Sequence, residues 1–326
     1  MKYIDFYLQY DEQYDEQYDE QFIAVYKTVS VIHNQIQHHI QMRFVLAMYK
    51  NVPFINKFKS LSAIYSPLCV GLDPTSEVLE AWCGRDNFDA LEKYCIEYLN
   101  ILAGKLAIIK PQLAFFERFG VEGFKVLEKV INICRDNNIL ILLDAKRSDI
   151  STTMQGYAQA YLSLESKLRV DAITATPFLG FDTLLPLINE AAKNNAYVFV
   201  VTASSNPEGR DLQNALINNV TLYQYLANNI KKINTELYPE IKPCGAVVGA
   251  TQTNLSDDFY ETLNSALLLS PGIGSQGATM EDLYARSITK NIIPTISRAL
   301  SSLGNNKDKI LSVLNKYKSM SMNLLN

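Results

Sequence analysis

From about Pro53 onward, short apolar runs alternate with longer stretches whose apolar positions recur at helical spacing. The runs at 68–72, 106–110, 139–144, 172–176, 196–202, 245–248, 266–269 and 292–296 read as strands. Between them, 88–102, 123–137, 153–164, 183–194, 222–234 and 255–263 read as amphipathic helices. Eight strands alternating with helices predict parallel βα units. Residues 66–318 cover close to the ~250 positions of a (β/α)8 TIM barrel. A doubly wound open sheet is the competing α/β arrangement.

One run ends differently from the others. Ile139-Leu-Ile-Leu-Leu-Asp144-Ala-Lys146-Arg-Ser-Asp149-Ile150 carries five apolar residues straight into Asp, Lys and Asp. Such a run predicts a strand buried on both faces. Side chains alternate along a strand, so Asp144 and Lys146 are expected on one side at its carboxyl end. Two acids and a lysine at a core strand tip cost desolvation energy that a purely structural position does not require. A barrel demands functional residues at the carboxyl ends of its strands. Asp73, Lys110, Asp144, Lys146, Thr176, Ser204, Ser205, Gln276 and Arg298 all follow or end a predicted strand. Carboxylates flanking Lys110 and Lys146 would keep a lysine protonated in a closed mouth. It would then stand ready to donate a proton where negative charge develops. Asp149, three residues past Lys146, is expected to leave the strand and point toward a neighbouring subunit.

Charge and composition narrow the picture. Residues 10–21 are three tandem copies of Tyr-Asp-Glu-Gln, too polar to bury a core. Residues 1–47 are therefore read as a low-complexity acidic extension, disordered or weakly helical, and 48–326 as the barrel domain. Met42 and Met48 are alternative starts, and a tyrosine stripe for a partner is the other use of the repeat. Residues 1–20 hold seven acids against Lys2, and the remainder carries +2 from 29 basic and 27 acidic residues. That near-neutral body offers no footprint for nucleic acid. The five scattered cysteines contain no C-x-x-C and suit reduced thiols in a cytoplasmic protein. No apolar segment approaches the ~18–20 residues that cross a bilayer, and no signal peptide is visible. His33, His38 and His39 are the only histidines. The main domain is thus expected to use neither a Ser-His-Asp mechanism nor a His-ligated metal.

Pro271-Gly272-Ile-Gly274-Ser-Gln276-Gly277 matches G-x-G-x-x-G, but it follows the seventh strand, and Arg298 stands about 20 residues on where an acid is required. In a barrel, the loops after strands seven and eight commonly form a phosphate site. Backbone N–H groups, a Gln276 amide and a bidentate Arg298 would suit a phosphorylated small molecule.

Taken in order, seven segments resemble the orotidine 5′-phosphate decarboxylase family, in its longer, bacterial-type branch. They are Cys69-Val-Gly-Leu-Asp73-Pro, Lys110-Pro-Gln112-Leu-Ala-Phe-Phe-Glu, Asp144-Ala-Lys146-Arg-Ser-Asp149-Ile, Ser204-Ser-Asn-Pro-Glu-Gly, Val248-Gly-Ala-Thr, Ser270-Pro-Gly-Ile-Gly-Ser-Gln276-Gly and Ser297-Arg298-Ala. The resemblance implies decarboxylation of orotidine 5′-monophosphate to UMP without metal or organic cofactor. It implies Lys146 as the donor to C6, Asp144 beside the scissile carboxylate, Lys110 bridging acids and ribose, and Asp73 on a ribose hydroxyl. It also implies a homodimer in which Asp149, Ile150 and Thr153 reach the partner's site. Ser204 or Ser205 would contact the pyrimidine from a closing loop, and Gln112 the ring region. Gln276 and Arg298 would hold the phosphate, with Pro271 and Gly277 beside the substrate in the same loop. The chain has no room for a second full domain, so a separate orotate phosphoribosyltransferase is expected, as a possible physical partner. The alternatives are another phosphosugar decarboxylase or aldolase of the same suprafamily, or a non-catalytic nucleotide-binding barrel.

Overall fold

Each of the eight apolar runs forms a strand in the computed structural model, which describes residues 51–252, 254–274, 276–284 and 291–325. In chain order these are β1 (Cys69–Leu72), β2 (Ile108–Pro111), β3 (Leu140–Arg147), β4 (Ala172–Ala175), β5 (Tyr197–Ala203), β6 (Cys244–Val248), β7 (Leu268–Pro271) and β8 (Ile292–Ile296). All neighbours pair in parallel, and β8 closes back on β1 with Cys69 opposite Thr295. That closure excludes the open doubly wound sheet. The YDEQ repeat, the three histidines, Met42 and Met48 lie outside the described residues.

The strands are buried on both faces because helices cover the outside and side chains fill the inside. Cys69, Ile108, Leu140, Leu142, Ala172, Tyr197, Phe199, Val247, Leu269 and Ile293 belong to one inner cluster. Two residues further along five of these strands, the same face carries Gly71, Lys110, Asp144, Thr174 and Thr295. The polar mouth is therefore the continuation of the apolar interior.

A helix at Phe54–Tyr65, which the strand-and-helix reading did not anticipate, contributes Phe54, Ile55, Phe58 and Leu61 to this inner cluster. The Phe54 ring lies 5.1 Å from Tyr197 and 6.3 Å from Phe199. Tyr197 donates to the Cys244 carbonyl (2.9 Å) and accepts from the Leu267 N–H (2.8 Å).

Of the predicted helices, Phe88–Leu102 forms over its expected length, capped by Asn87 Oδ1 on the Ala90 N–H (3.0 Å). The stretch expected at 183–194 splits into a 3-10 turn, Phe181–Leu184, and a helix, Leu185–Lys193, with Pro186 in the first turn of the latter. Proline is tolerated there because its missing N–H has no intrahelical partner to lose. Ser76–Cys83 and Lys307–Met322 are further helices absent from the reading.

Candidate active site

At the end of β3 three charges meet. Lys110 Nζ donates to Asp144 Oδ2 at 2.9 Å, and Lys146 Nζ donates to Asp144 Oδ1 at 2.7 Å. The side chains of Lys110 and Asp144 are only 8% and 13% exposed, whereas Lys146 is 49% exposed and faces the mouth. Burial pulls the Lys110 pKa down, but Asp144 and Asp73 outweigh it and hold it above the ordinary lysine value. Burial likewise favours the neutral acid at Asp144, and Lys110 and Lys146 override it, holding that carboxyl well below the usual range.

Asp144 and Lys146 meet as expected, but not by strand alternation alone. The pairing of β3 with β4 shifts register between Leu143 and Arg147, and Lys146 has a left-handed φ of 47°. This bulge re-aims the lysine while Arg147 turns outward. Arg147 pairs with Glu117, and its guanidinium lies 5.2 Å from the Tyr157 ring centroid.

Two residues brace the carboxylate. Thr174 of β4 donates to Asp144 Oδ1 (2.9 Å) and accepts from the N–H groups of Ala145 (3.0 Å) and Lys146 (2.9 Å). Gln112, with its amide nitrogen toward Asp144, donates to the Asp144 carbonyl (2.8 Å) and to Oδ2 (3.0 Å). Gln112 is thus turned onto Asp144, where the sequence placed it against the ring region. Thr174 was not among the sequence candidates, because its role depends on register between strands 30 residues apart.

Asp73, after β1, accepts from Ser297 Oγ at the end of β8 (2.5 Å), a partner the sequence reading gave no role. Its Oδ1 is buried without a hydrogen-bond partner among the described residues. Asp149 does not join the Lys110–Asp144–Lys146 network. Its Oδ1 accepts from the N–H of Ile150 (2.8 Å), and Ile150 and Thr153 are exposed.

On the opposite rim, the β5 loop meets β6 and β7. A Cβ on Gly249 would stand 2.6 Å from the Ser205 backbone N, so only glycine allows this approach. A Cβ on Gly272 would lie 2.8 Å from Gln276 Oε1 and 3.6 Å from Ser205 Cβ. Ser205 and Gln276 therefore share one side of the mouth, beside Pro271. Gly277, in the same loop, has a left-handed φ of 89°. Ser204 is engaged within its own loop: its Oγ donates to Asn206 Oδ1 (2.6 Å) and accepts from Gln213 Nε2 (2.7 Å). Gln252 Nε2 reaches its carbonyl (2.5 Å). Gln213 and Gln252 were not singled out in the sequence, since only the folded loop aims them at Ser204. Arg298 is exposed and opens the short helix Arg298–Ser301 after β8.

No group of three or more His, Cys, Asp or Glu side chains among the described residues is placed to hold a metal ion. Cys69, on the interior face below Lys110, is fully buried, which pushes its thiol up to about 12. It is a core residue, not a nucleophile.

The family described as "Orotidine 5'-phosphate decarboxylase / HUMPS family" matches residues 66–302. The chain is 40% identical over 236 residues to the orotidine 5′-phosphate decarboxylase of Nocardioides sp., covering 71% of this chain and 85% of that one. It is 35% identical over 269 residues to the enzyme of the same name from Myxococcus xanthus, covering 81% of this chain and 93% of the relative. The solved structure of Leishmania donovani OMP decarboxylase superposes with a TM-score of 0.66 at 26% identity. That match covers 83% of this chain and 99% of the other.

Proposed function

The chain belongs to the orotidine 5′-phosphate decarboxylase / HUMPS family and converts orotidine 5′-monophosphate to UMP and CO2; from that premise we propose how its residues divide the work. The observation that carries the reading is the Lys110–Asp144–Lys146 chain at the barrel mouth, with one lysine buried and one facing out.

Phosphate is held by Gln276 and Arg298, with Pro271 and Gly277 lining the same loop. Asp73 accepts a ribose hydroxyl, a role supported by its buried, unpartnered Oδ1. Lys110 links that end of the substrate to Asp144. Gln112 acts on the ring region through Asp144 and so indirectly. The substrate carboxylate lies beside Asp144. When the C6–CO2 bond breaks, the electron pair stays on C6, and Lys146 Nζ delivers a proton there, becoming a neutral amine that solvent reprotonates. That electron pair cannot delocalise into the ring, so a fixed positive charge in a site emptied of water does much of the stabilising. Repulsion between Asp144 and the substrate carboxylate adds ground-state destabilisation. Binding energy from the phosphate closes the loop after β5 over the ring. Ser205, on the Gln276 side of the mouth, is the serine better placed to meet the pyrimidine; Ser204 holds the loop in shape.

The working unit is a homodimer in which Asp149, Ile150 and Thr153 complete the partner's site. Supporting this, Asp149 stands outside its own network, and Ile150, Phe178 and Leu179, near the ends of β3 and β4, are 55%, 74% and 50% exposed. No helix among the described residues is long and apolar enough to cross a membrane. We place the enzyme in the cytoplasm, taking substrate from a separate orotate phosphoribosyltransferase. The residue-1–47 extension is assigned no part in the chemistry, and 48–326 carry all of it.

Loss of orotidylate absorbance, followed with purified protein in EDTA, tests the reading. Steady turnover in the chelator is expected, and its absence with a folded protein contradicts the assignment.

A further inference from the structure

Three buried threonines lie in the barrel strands, and they satisfy their hydroxyls in different ways. Thr202 donates to the carbonyl of Val200 (2.9 Å), and Thr295 donates to that of Ile293 (3.4 Å). Both reach two residues back on the same strand, and Thr295 also bonds the Cys69 side chain. Thr174, 1% exposed, instead reaches across to β3 and spends its whole capacity there. A hydroxyl has one proton and two lone pairs. Here the proton goes to Asp144 Oδ1, and the oxygen receives the N–H groups of Ala145 and Lys146.

Those two N–H groups sit in the bulge where the β3–β4 register shifts and Lys146 takes its left-handed φ of 47°. A non-glycine residue in that region is strained and persists only where its surroundings hold it. Without an acceptor facing the bulge, two backbone donors would be stranded at a part-buried site. The segment would be drawn back toward regular strand geometry, which sends Lys146 elsewhere. The same hydroxyl also fixes the oxygen of Asp144 that Lys146 contacts at 2.7 Å. One side chain therefore sets both the backbone of the donor and the orientation of its carboxylate partner.

We propose that Thr174 is a positioning residue for the decarboxylation, acting through the backbone of Lys146 and the carboxylate of Asp144. The proposal rests on the assignment of Lys146 as proton donor. It requires a hydroxyl, not merely a β-branched shape, at this position.

Steady-state kinetics of Thr174→Val and Thr174→Ser, with UMP affinity measured alongside, test it. Valine keeps the shape and loses the hydroxyl; serine keeps the hydroxyl and loses a methyl group. Thr174→Val is expected to lower kcat about 100-fold, the scale of a 1 Å misplacement at a reacting centre. Its UMP dissociation constant should move by no more than about threefold, the signature of an interaction used in the transition state. Thr174→Ser is expected to recover most of the lost kcat. Should Thr174→Val not fold, Thr174→Ala is the substitute, with the same split expected. Wild-type turnover in Thr174→Val, equal losses of kcat and UMP affinity, or a serine variant as impaired as valine would each overturn the proposal while leaving the assigned reaction intact. A wild-type protein that does not consume orotidylate would overturn both.

Discussion

Lys110 and Asp144 keep each other charged in a place where burial favours the neutral form of each. Lys110 is raised above the ordinary lysine value and Asp144 held below the ordinary carboxylate value. The sign of the linkage follows. Asp144 contributes stability that is present above its unfolded pKa of about 3.9 and lost as pH falls through its depressed folded value. Lys110 contributes stability that is present below about 10.4 and lost as pH rises through its elevated folded value. Both ion-pair members should therefore stay charged from about pH 5 to 9. Carboxyl NMR titration of Asp144 is expected to show no proton uptake in that interval, and kcat/KM no limb from either group. A titration of Asp144 near or above the ordinary carboxylate range would contradict this. Gln112 and Thr174 add to the pair by occupying the remaining lone pairs of Asp144, as a buried carboxylate requires.

At the scale of elements, β3 illustrates what could and could not be read in advance. Its apolar stretch from Leu140 to Leu143 is a continuous buried run, and the polar residues that follow fall at the mouth because strand ends do so in a barrel. All eight strands were legible for that reason. The bulge at Lys146 was not, since a register shift is decided by what β4 offers opposite, here the Thr174 hydroxyl. The helix at Phe54–Tyr65 escaped for a different reason. Its apolar face is specified by the open end of the barrel that it covers, not by a βα repeat. Phe54, 1% exposed against Tyr197 and Phe199, anchors it. Phe54→Ala is expected to cost about 3–5 kcal/mol of stability in chemical denaturation. Because Phe54 joins the inner core below the polar layer, kcat should stay within about twofold. A large kcat loss with unchanged stability would show that this helix shapes the site itself.

The whole molecule is nearly neutral once its acidic first 20 residues are set aside, so electrostatics act locally, at the mouth. Asp149 sits three residues from Lys146 yet accepts from the Ile150 N–H, next to an Ile150 side chain that faces solvent. If the partner's Asp149 completes each site, Lys146→Ala and Asp149→Ala should each be inactive alone. Refolded together in equal amounts, they should recover about a quarter of wild-type activity, because half the dimers are mixed and each mixed dimer holds one intact site. Failure to recover activity in demonstrably mixed dimers would contradict a shared site.

In the proposed mechanism Lys146 gives its proton to C6 while the rest of the mouth binds the nucleotide. Kinetics and UMP titration of Lys146→Ala test it most directly. Turnover is expected to fall below detection with UMP affinity weakened only modestly, since phosphate and ribose contacts remain. Retained turnover, or a loss of turnover matched by an equal loss of UMP affinity, would contradict it.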